Sequence, residues 1–352
     1  MRRAVSEMTQ RVLVTGVGGQ PGFDLARRLL ELNCDVIATD ADPLANGLLL
    51  PGVTPRLTPP VTAADYTSRL LGLCRETRPD ALWSAVEAEL PHLLDMSGAL
   101  EKTGVRMWLP PRRAVQAGLD KAFFHQLLAA HNIPTPASWL PSQIDDVPDG
   151  VALVVKPRHG QGSKNVVFCS TRRQARMLCE LVPDPILQTK LDGREFTADC
   201  VVDRDGRASV VLRYRLLTKG GLSMVSETFH DQQVHHRVIE TLEAVQASGL
   251  CCVQGFLRDG GSGRVVITEM NARIAGGFML AEAAGADLVG QTLAGLWGHP
   301  IDHGRLTYRP GVRLAKATTT LAVTEHSRLG QSAQPDTSVF LALQGRSDDD
   351  ER

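Results

Sequence analysis

The stretch Val154-Val155-Lys156-Pro157-Arg158-His159-Gly160-Gln161-Gly162-Ser163-Lys164-Asn165-Val166 joins an apolar run, a lysine at its end, two glycines, a hydroxyl and a return to apolar sequence. Such a strand delivers an ammonium to the mouth of a loop whose glycines admit positive φ and let backbone N–H groups approach anionic oxygens. Phosphate is the matching ligand. No Gly-x-x-x-x-Gly-Lys-[Ser/Thr] spacing occurs, and a strand rather than a helix follows, so this is not a P-loop. Taken alone, the stretch also fits a glycine hairpin with a surface lysine. A second group bears on that choice: Glu269-Met270-Asn271-Ala272-Arg273, fifteen residues beyond Gln254. The two-residue period of a strand places Glu269, Asn271 and Arg273 on one face. A carboxylate and an amide oxygen side by side suit Mg²⁺ bridging nucleotide phosphates. Arg273 can offset charge on a phosphoryl group in transit. A solvated edge strand explains the polar residues but not Gly276-Gly277, which read as backbone kept bare for something to approach.

Positioning these groups requires alternating strands and helices. Residues 11–15 predict a strand, Gly16 to Gly22 a glycine-rich turn, Phe23 to Asn33 a helix, and Asp35 to Thr39 a parallel neighbouring strand reached by a right-handed crossover. Ala64 to Thr77 predicts a helix and Ala81 to Val86 a strand, giving a small doubly wound unit. Pro110-Pro111 ends it. Ala114 to His131 predicts one helix, stopped by Pro134 and Pro136. Strands follow at Val151 to Lys156, Asn165 to Cys169 and Ile186 to Thr189, with a helix at Arg172 to Leu181. A hairpin turns about Asp203-Arg204-Asp205-Gly206 within Asp192 to Val211. Val234 to Ser248 predicts a helix, and strands follow at Cys251 to Leu257 and Val265 to Glu269. Cys251 and Cys252 then point to opposite faces of their strand.

In this order and spacing, Leu-Asp-Lys at Lys121, Val-Val-Lys-Pro-Arg-x-Gly-x-Gly-Ser, Leu-Asp-Gly-Arg-Glu and Glu-Met-Asn-x-Arg resemble the motifs of ATP-grasp enzymes. The likeness spans residues 11 to 300 and is nearest to one half of the carbamoyl-phosphate synthase large subunit and to amino-acid (carboxylate–amine) ligases. The resemblance implies an α/β (α+β) chain of ATP-grasp fold. A doubly wound pre-ATP-grasp domain would occupy 1–112, the small lid subdomain with its linking helix 113–191, the C-terminal subdomain 192–325, and a disordered tail 326–352. It implies Mg²⁺ and ATP as cofactors, with Mn²⁺ as a substitute. It also implies an acyl-phosphate route to an amide from small-molecule carboxylate and amine substrates, amino acids being the default.

Residue by residue, the resemblance gives Lys121 and Lys156 the nucleotide phosphates, and Gly160, Gly162 and Ser163 the closing loop. Gln188, Thr189, Lys190 and Leu191 become the hinge whose backbone reads adenine, and Glu195 takes the ribose hydroxyls. Glu269 and Asn271 become metal ligands, with Gln254 a further one, and Arg273 steadies the transferred phosphoryl. Arg213 and Arg215 match a basic strand that faces phosphate or acyl substrate, and Gly276 and Gly277 resemble the substrate side of amino-acid ligases. The sequence departs from the family at Gln188-Thr189, where Gln-Glu is frequent, at Gln254, where many relatives have an acid, and at Ala272, where proline is usual.

Other features carry competing readings. Thr15-Gly16-Val17-Gly18-Gly19-Gln20-Pro21-Gly22, with Asp40 closing the second strand, fits a dinucleotide-binding turn and hence an NAD(P)-dependent reductase. A Tyr-x-x-x-Lys pair is missing: Tyr66, Tyr214 and Tyr308 are followed four residues on by Leu70, Thr218 and Val312. A nucleotide-binding regulator without catalysis is the third reading. Glu87 and Glu89 either orient a substrate amine or begin a solvated helix. His230, His235 and His236 read as a metal group or a polar helix start, and Lys219-Gly220-Gly221 as a loop beside the triphosphate or a hairpin turn. With 38 basic and 39 acidic side chains the net charge is −1, which gives no electrostatic case for nucleic acid or an anionic membrane. Apolar residues at 43% and charged residues at 22% fit a globular protein. No run of about eighteen apolar residues occurs, and no signal-peptide core follows Met1-Arg2-Arg3. Seven cysteines without metal spacing read as reduced thiols of a cytoplasmic protein. A homodimer is carried as an expectation with no residue behind it.

Overall fold

Residues 9–160, 162–259 and 264–317 are described in the computed structural model. In chain order the leading elements are β1 (Arg11–Thr15), α1 (Gln20–Glu31), β2 (Asp35–Asp40), β3 (Val53–Leu57), α2 (Tyr66–Thr77), β4 (Ala81–Ser84) and α3 (Leu90–Glu101). These strands form a parallel sheet in the order β3-β2-β1-β4. Next come α4 (Arg112–Leu119), α5 (Lys121–Ala130), β5 (Ser138–Trp139), β6 (Leu153–Pro157), β7 (Val167–Cys169), α6 (Arg172–Leu181) and β8 (Pro185–Thr189). Their strands make a second sheet, β5-β8-β6-β7. The remainder is β9 (Arg194–Val202), β10 (Ala208–Lys219), β11 (Leu222–Thr228), α7 (Gln232–Val245), β12 (Gly249–Leu257), β13 (Val265–Asn271), α8 (Met279–Ala283), α9 (Leu288–Leu296) and β14 (Arg313–Ala315). It builds a six-stranded sheet, β13-β12-β9-β10-β11-β14.

Burial follows the pleat. Val12 and Val14 point to one face of the parallel sheet and Leu13 to the other. Both resulting cores run on into the six-stranded sheet: Leu13 shares a cluster with Phe196 and Ile267, Val14 with Val201 and Val211. The second sheet differs. Leu153, Val155, Ala175, Val182 and Leu187 pack with Ile144, Val147 and Cys169 in a separate cluster.

Three expectations need correction. The helix expected over Ala114 to His131 is two helices, because Asp120 leaves helical geometry and caps α5, accepting from the N–H groups of Ala122 and Phe123. Such a cap satisfies donors that a continuous helix would not leave free. The glycine turn is shorter than expected: α1 begins at Gln20, with Pro21 in its first turn, where a missing N–H costs nothing. Strands β3 and β11 and helix α3 were not anticipated. Cys251 lies in a core cluster while Cys252 borders the cleft described below, as the alternation requires. The expected tail, 326–352, lies outside the described residues.

Candidate functional site

One cavity of about 490 Å³, within the usual range for a ligand site, is bordered by residues of the second and six-stranded sheets, with Gln20 and Pro21 of α1 at its edge. Every residue that the family resemblance assigns to nucleotide, metal, phosphoryl or substrate borders it, whereas Glu87 and Glu89, read from the sequence as orienting a substrate amine, do not.

The basic wall is built locally. Asp120 caps α5 and also receives two hydrogen bonds from Arg158, at 2.8 and 2.6 Å. Burial works to raise the Asp120 carboxyl, but Arg158 and the helix N–H groups outweigh it and hold it below the carboxylate range. Lys121 is thereby fixed at the first helical position, and its ammonium donates to the Gly160 carbonyl at 2.7 Å. Lys156, near the end of β6, has no hydrogen-bond or ion-pair partner among the described residues. Burial pushes its ammonium down to about 8, with Lys121 adding to that effect and Glu269 opposing it. Lys121, Lys156 and Glu269 border the same cavity.

The opposite wall is a row in register. Glu269 on β13 pairs with Gln254 on β12, Gln254 with Thr197 on β9, and Thr197 with Arg213 on β10. Asn271 lies 3.5 Å from the Glu269 carboxylate, and its side-chain oxygen accepts from Arg273 at 3.3 Å. Arg273 lies beyond the last residue of β13, so a turn rather than a continued strand brings it to the same cavity. One carboxylate and two amides form a hard-oxygen set of low charge. That set fits Mg²⁺ delivered with phosphates, which needs only one or two protein carboxylates. The Thr197 hydroxyl, in a residue 1% exposed, has no partner among the described residues. A buried orphan hydroxyl on a cavity floor fits an oxygen-bearing ligand or water.

The arginines divide their work. Arg213 makes a buried two-point pair with Asp199, at 2.7 and 3.2 Å. Arg215 donates to Gln254 at 3.2 Å and to the Gly221 carbonyl at 2.7 Å, and lies 3.4 Å from Glu195. Burial raises Glu195, and Arg215 opposes that rise. The Lys219-Gly220-Gly221 turn approaches the loop after β6: a Cβ on Gly221 would come within 2.8 Å of Gly162 and Ser163.

Some assignments change. Gly277 is bare because the Arg213 guanidinium lies on it, 2.6 Å from where a Cβ would stand, and Gly276 because Leu222 does. No external ligand is needed to explain either. Within the hinge, the Thr189 and Lys190 N–H groups are already given to the carbonyls of Ala137 and Ala152, which leaves Leu191 as its uncommitted donor among the described residues. The Gln188 side chain donates to Ser138 at 2.8 Å. Glu87 and Glu89 do not start a solvated helix: they are 3% and 6% exposed. Glu89 accepts from Thr15 and Ser84, and Glu87 from the Ala272 N–H at 2.7 Å. Burial pushes Glu87 up to about 7, against Arg273, the Ala272 N–H and Lys121, with Glu269 adding to the rise. His230 stacks edge-on against Tyr308, and among the described residues no group of three His, Cys, Asp or Glu could hold a metal.

The sequence reading missed Thr197, Asp199, Phe168, Phe256, Gln20 and Pro21. Glu195, Thr197 and Asp199 stand two apart, and that alternation was a readable signal. Gln20 and Pro21 border the cavity from α1. Asp40, which a dinucleotide-binding turn would aim at ribose, accepts instead from the Gly18 N–H of its own turn at 2.7 Å.

A four-stranded sheet and a six-stranded sheet around one cleft, beside a parallel leading sheet, are the arrangement of the ATP-grasp fold. Solved structures share it: an L-amino acid ligase from Bacillus licheniformis (TM-score 0.68, 18% identity, covering 86% of this chain and 78% of that one). A second is biotin carboxylase from Campylobacter jejuni (TM-score 0.68, 12% identity, 85% and 73%). Residues 182–320 match the family described as ATP-grasp in the biosynthetic pathway with Ter operon, so the chain carries an ATP-grasp domain. Among curated proteins it is similar to the arginine-specific large chain of carbamoyl phosphate synthase from Eremothecium gossypii (28% over 211 residues, 54% of this chain and 19% of that one). It is also similar to phosphoribosylamine–glycine ligase from Mycobacterium leprae (29% over 212 residues, 55% and 47%). The chain thus spans between a fifth and a half of the lengths of these relatives.

Proposed function

We propose that this protein is an ATP-dependent carboxylate–amine ligase, acting on small molecules with amino acids as the leading class. The observation that carries the reading is that Lys121, Lys156, Glu269 and Asn271, from distant parts of the sequence, border one cavity. Cations from the lid side and an acid–amide pair from the six-stranded sheet there face the same triphosphate-sized space.

Lys121, Lys156 and the backbone around Gly160 and Gly162 bind the phosphates, and Leu191 of the hinge reads the base. Glu195 meets the ribose, where Arg215 already compensates its charge. Glu269 and Asn271, with Gln254, would hold Mg²⁺, for which Mn²⁺ is the substitute. When bound, the ion neutralises charge shared between the terminal phosphates. Arg273 faces the phosphoryl group as it moves to the substrate carboxylate. The amine attacks the carbonyl carbon of the resulting acyl phosphate, the bond from that carbon to the phosphate oxygen breaks, and the amine's proton leaves with phosphate, giving an amide, ADP and phosphate. Positioning, cationic surroundings and exclusion of water suffice for this chemistry.

The enzyme is proposed to work in the cytoplasm, and among the described residues no helix is long and apolar enough to cross a membrane. A homodimer is the working assembly. Nucleic acid has no part in the reading. ADP release measured across a panel of carboxylates and amines, followed by mass analysis of products from a mixed amino-acid library, tests the proposal. Substrate-dependent ADP with an amide product supports it. Binding without turnover would favour a regulator, and NAD(P)H binding a reductase, against which the internal Asp40–Gly18 hydrogen bond already argues.

A further inference from the structure

We propose that Glu87 is a positioning residue: its carboxylate, delivered from the leading sheet, sets the direction in which Asn271 and Arg273 enter the cleft. The inference rests on the nucleotide reading above and deepens it.

Strand β13 ends at Asn271, and the next N–H, that of Ala272, is taken by Glu87 at 2.7 Å across 185 residues of sequence. Ala272 stands between the two residues whose side chains reach the cavity, so fixing its backbone fixes both of them. Glu87 opens a single 3-10 turn, Glu87–Glu89, joined to β4 by Ala85 and Val86. The same carboxyl fills the space that a side chain on Gly118 of α4 would need. A methyl group there would collide with Glu87 and stand 3.3 Å from the Ala272 nitrogen. Three segments remote in sequence therefore meet at one carboxyl, which is 3% exposed and does not border the cavity. Arg273 is attracted to it electrostatically and is further held by the Ile274 carbonyl at 2.8 Å. A carboxylate in this place does no chemistry. It supplies the outer support that keeps a ligand set within productive geometry.

The test is calorimetric binding of a non-hydrolysable ATP analogue, with Mg²⁺ and with EDTA, to the unaltered chain and its Glu87→Ala, Glu87→Gln and Gly118→Ala variants. Leu93→Ala, a buried change in α3 that shares a core cluster with Leu13 and Leu82 of the leading sheet, controls for general destabilisation. Glu87→Ala should lose about tenfold of the Mg²⁺-dependent gain in affinity, the scale of one buried donor left unpaired. Its affinity in EDTA, carried by Lys121 and Lys156, should stay the same. Glu87→Gln keeps an acceptor for Ala272 and should stay within about threefold. Gly118→Ala, which displaces the carboxyl without deleting it, should follow Glu87→Ala. Full Mg²⁺ dependence in Glu87→Ala overturns the inference. So does an equal loss in Leu93→Ala, or a parallel fall in EDTA. Absence of Mg²⁺-dependent binding in the unaltered chain overturns the nucleotide reading itself, before any variant is compared.

Discussion

Raising the pH from 7 to 9 should weaken binding of a Mg²⁺-loaded, non-hydrolysable ATP analogue about tenfold, because Lys156 loses its proton in the free protein. Its ammonium is pushed down to about 8, first by burial and then by Lys121, with Glu269 resisting. Roughly nine in ten Lys156 side chains are then charged at pH 7, and roughly one in ten at pH 9. A bound triphosphate restores the proton, so binding at pH 9 takes up close to one proton, and at pH 7 almost none. The sign follows from the direction of the shift. A lysine whose folded value lies below its unfolded value costs stability while charged. That cost is present below about 8 and fades as the pH rises towards the unfolded value near 10.4. Across the full window it amounts to about 3 kcal/mol, at roughly 1.4 kcal/mol per unit. The free protein thus gains stability over the interval in which it loses nucleotide affinity. Titration calorimetry in two buffers of different ionisation enthalpy reads the proton uptake directly. Lys156→Arg stays charged and should flatten the profile. Unchanged affinity and no proton uptake at pH 9 in the unaltered protein would refute the assignment of Lys156 to the phosphates.

Asp199→Ala strands the buried Arg213 guanidinium and should lower unfolding stability by about 3–5 kcal/mol in urea titrations; a loss under about 1 kcal/mol would show that the pair is not buried as described. Asp120→Ala removes a helix cap and the partner of Arg158 together. It should cost about 1–2 kcal/mol of stability and weaken nucleotide binding through Lys121, whereas loss of stability alone would separate the cap from the ammonium it positions. Glu269→Gln should leave the fold intact by circular dichroism and reduce ADP formation by roughly a hundredfold or more; near-normal turnover would remove Glu269 from the metal set.

What the sequence made legible was local chemistry and periodicity. The lysine-glycine stretch and Glu269-Met270-Asn271 were found because each is contiguous and each strand alternates. Asp120 was overlooked as a break because an apolar helical rhythm runs across it, although an aspartate before a lysine-led helix is a cap signal in its own right. Strand β3 carries Pro55 and lies at a sheet edge, where proline is tolerated but hides the strand from propensity. Strand β11 follows Lys219-Gly220-Gly221, which fits a loop beside a ligand as well as a hairpin turn, so the returning strand is not marked. Glu87 was beyond local reasoning: its place depends on an N–H and a glycine that become neighbours only on folding. The glycine pair at 276–277 was recognised as a close approach but given to a ligand, since no sequence rule points from Gly277 to Arg213.

The second sheet keeps a core of its own, bounded by Ile144, Val155 and Leu187, while the other two sheets share theirs. A unit that holds together by itself can travel as a body, with the nucleotide as mortar between two separately built walls. The dissociation constant would then report the equilibrium between gaping and shut forms as much as the contacts made inside. Substitutions on the far side of that unit, remote from any phosphate, could therefore tune how tightly the protein holds its nucleotide.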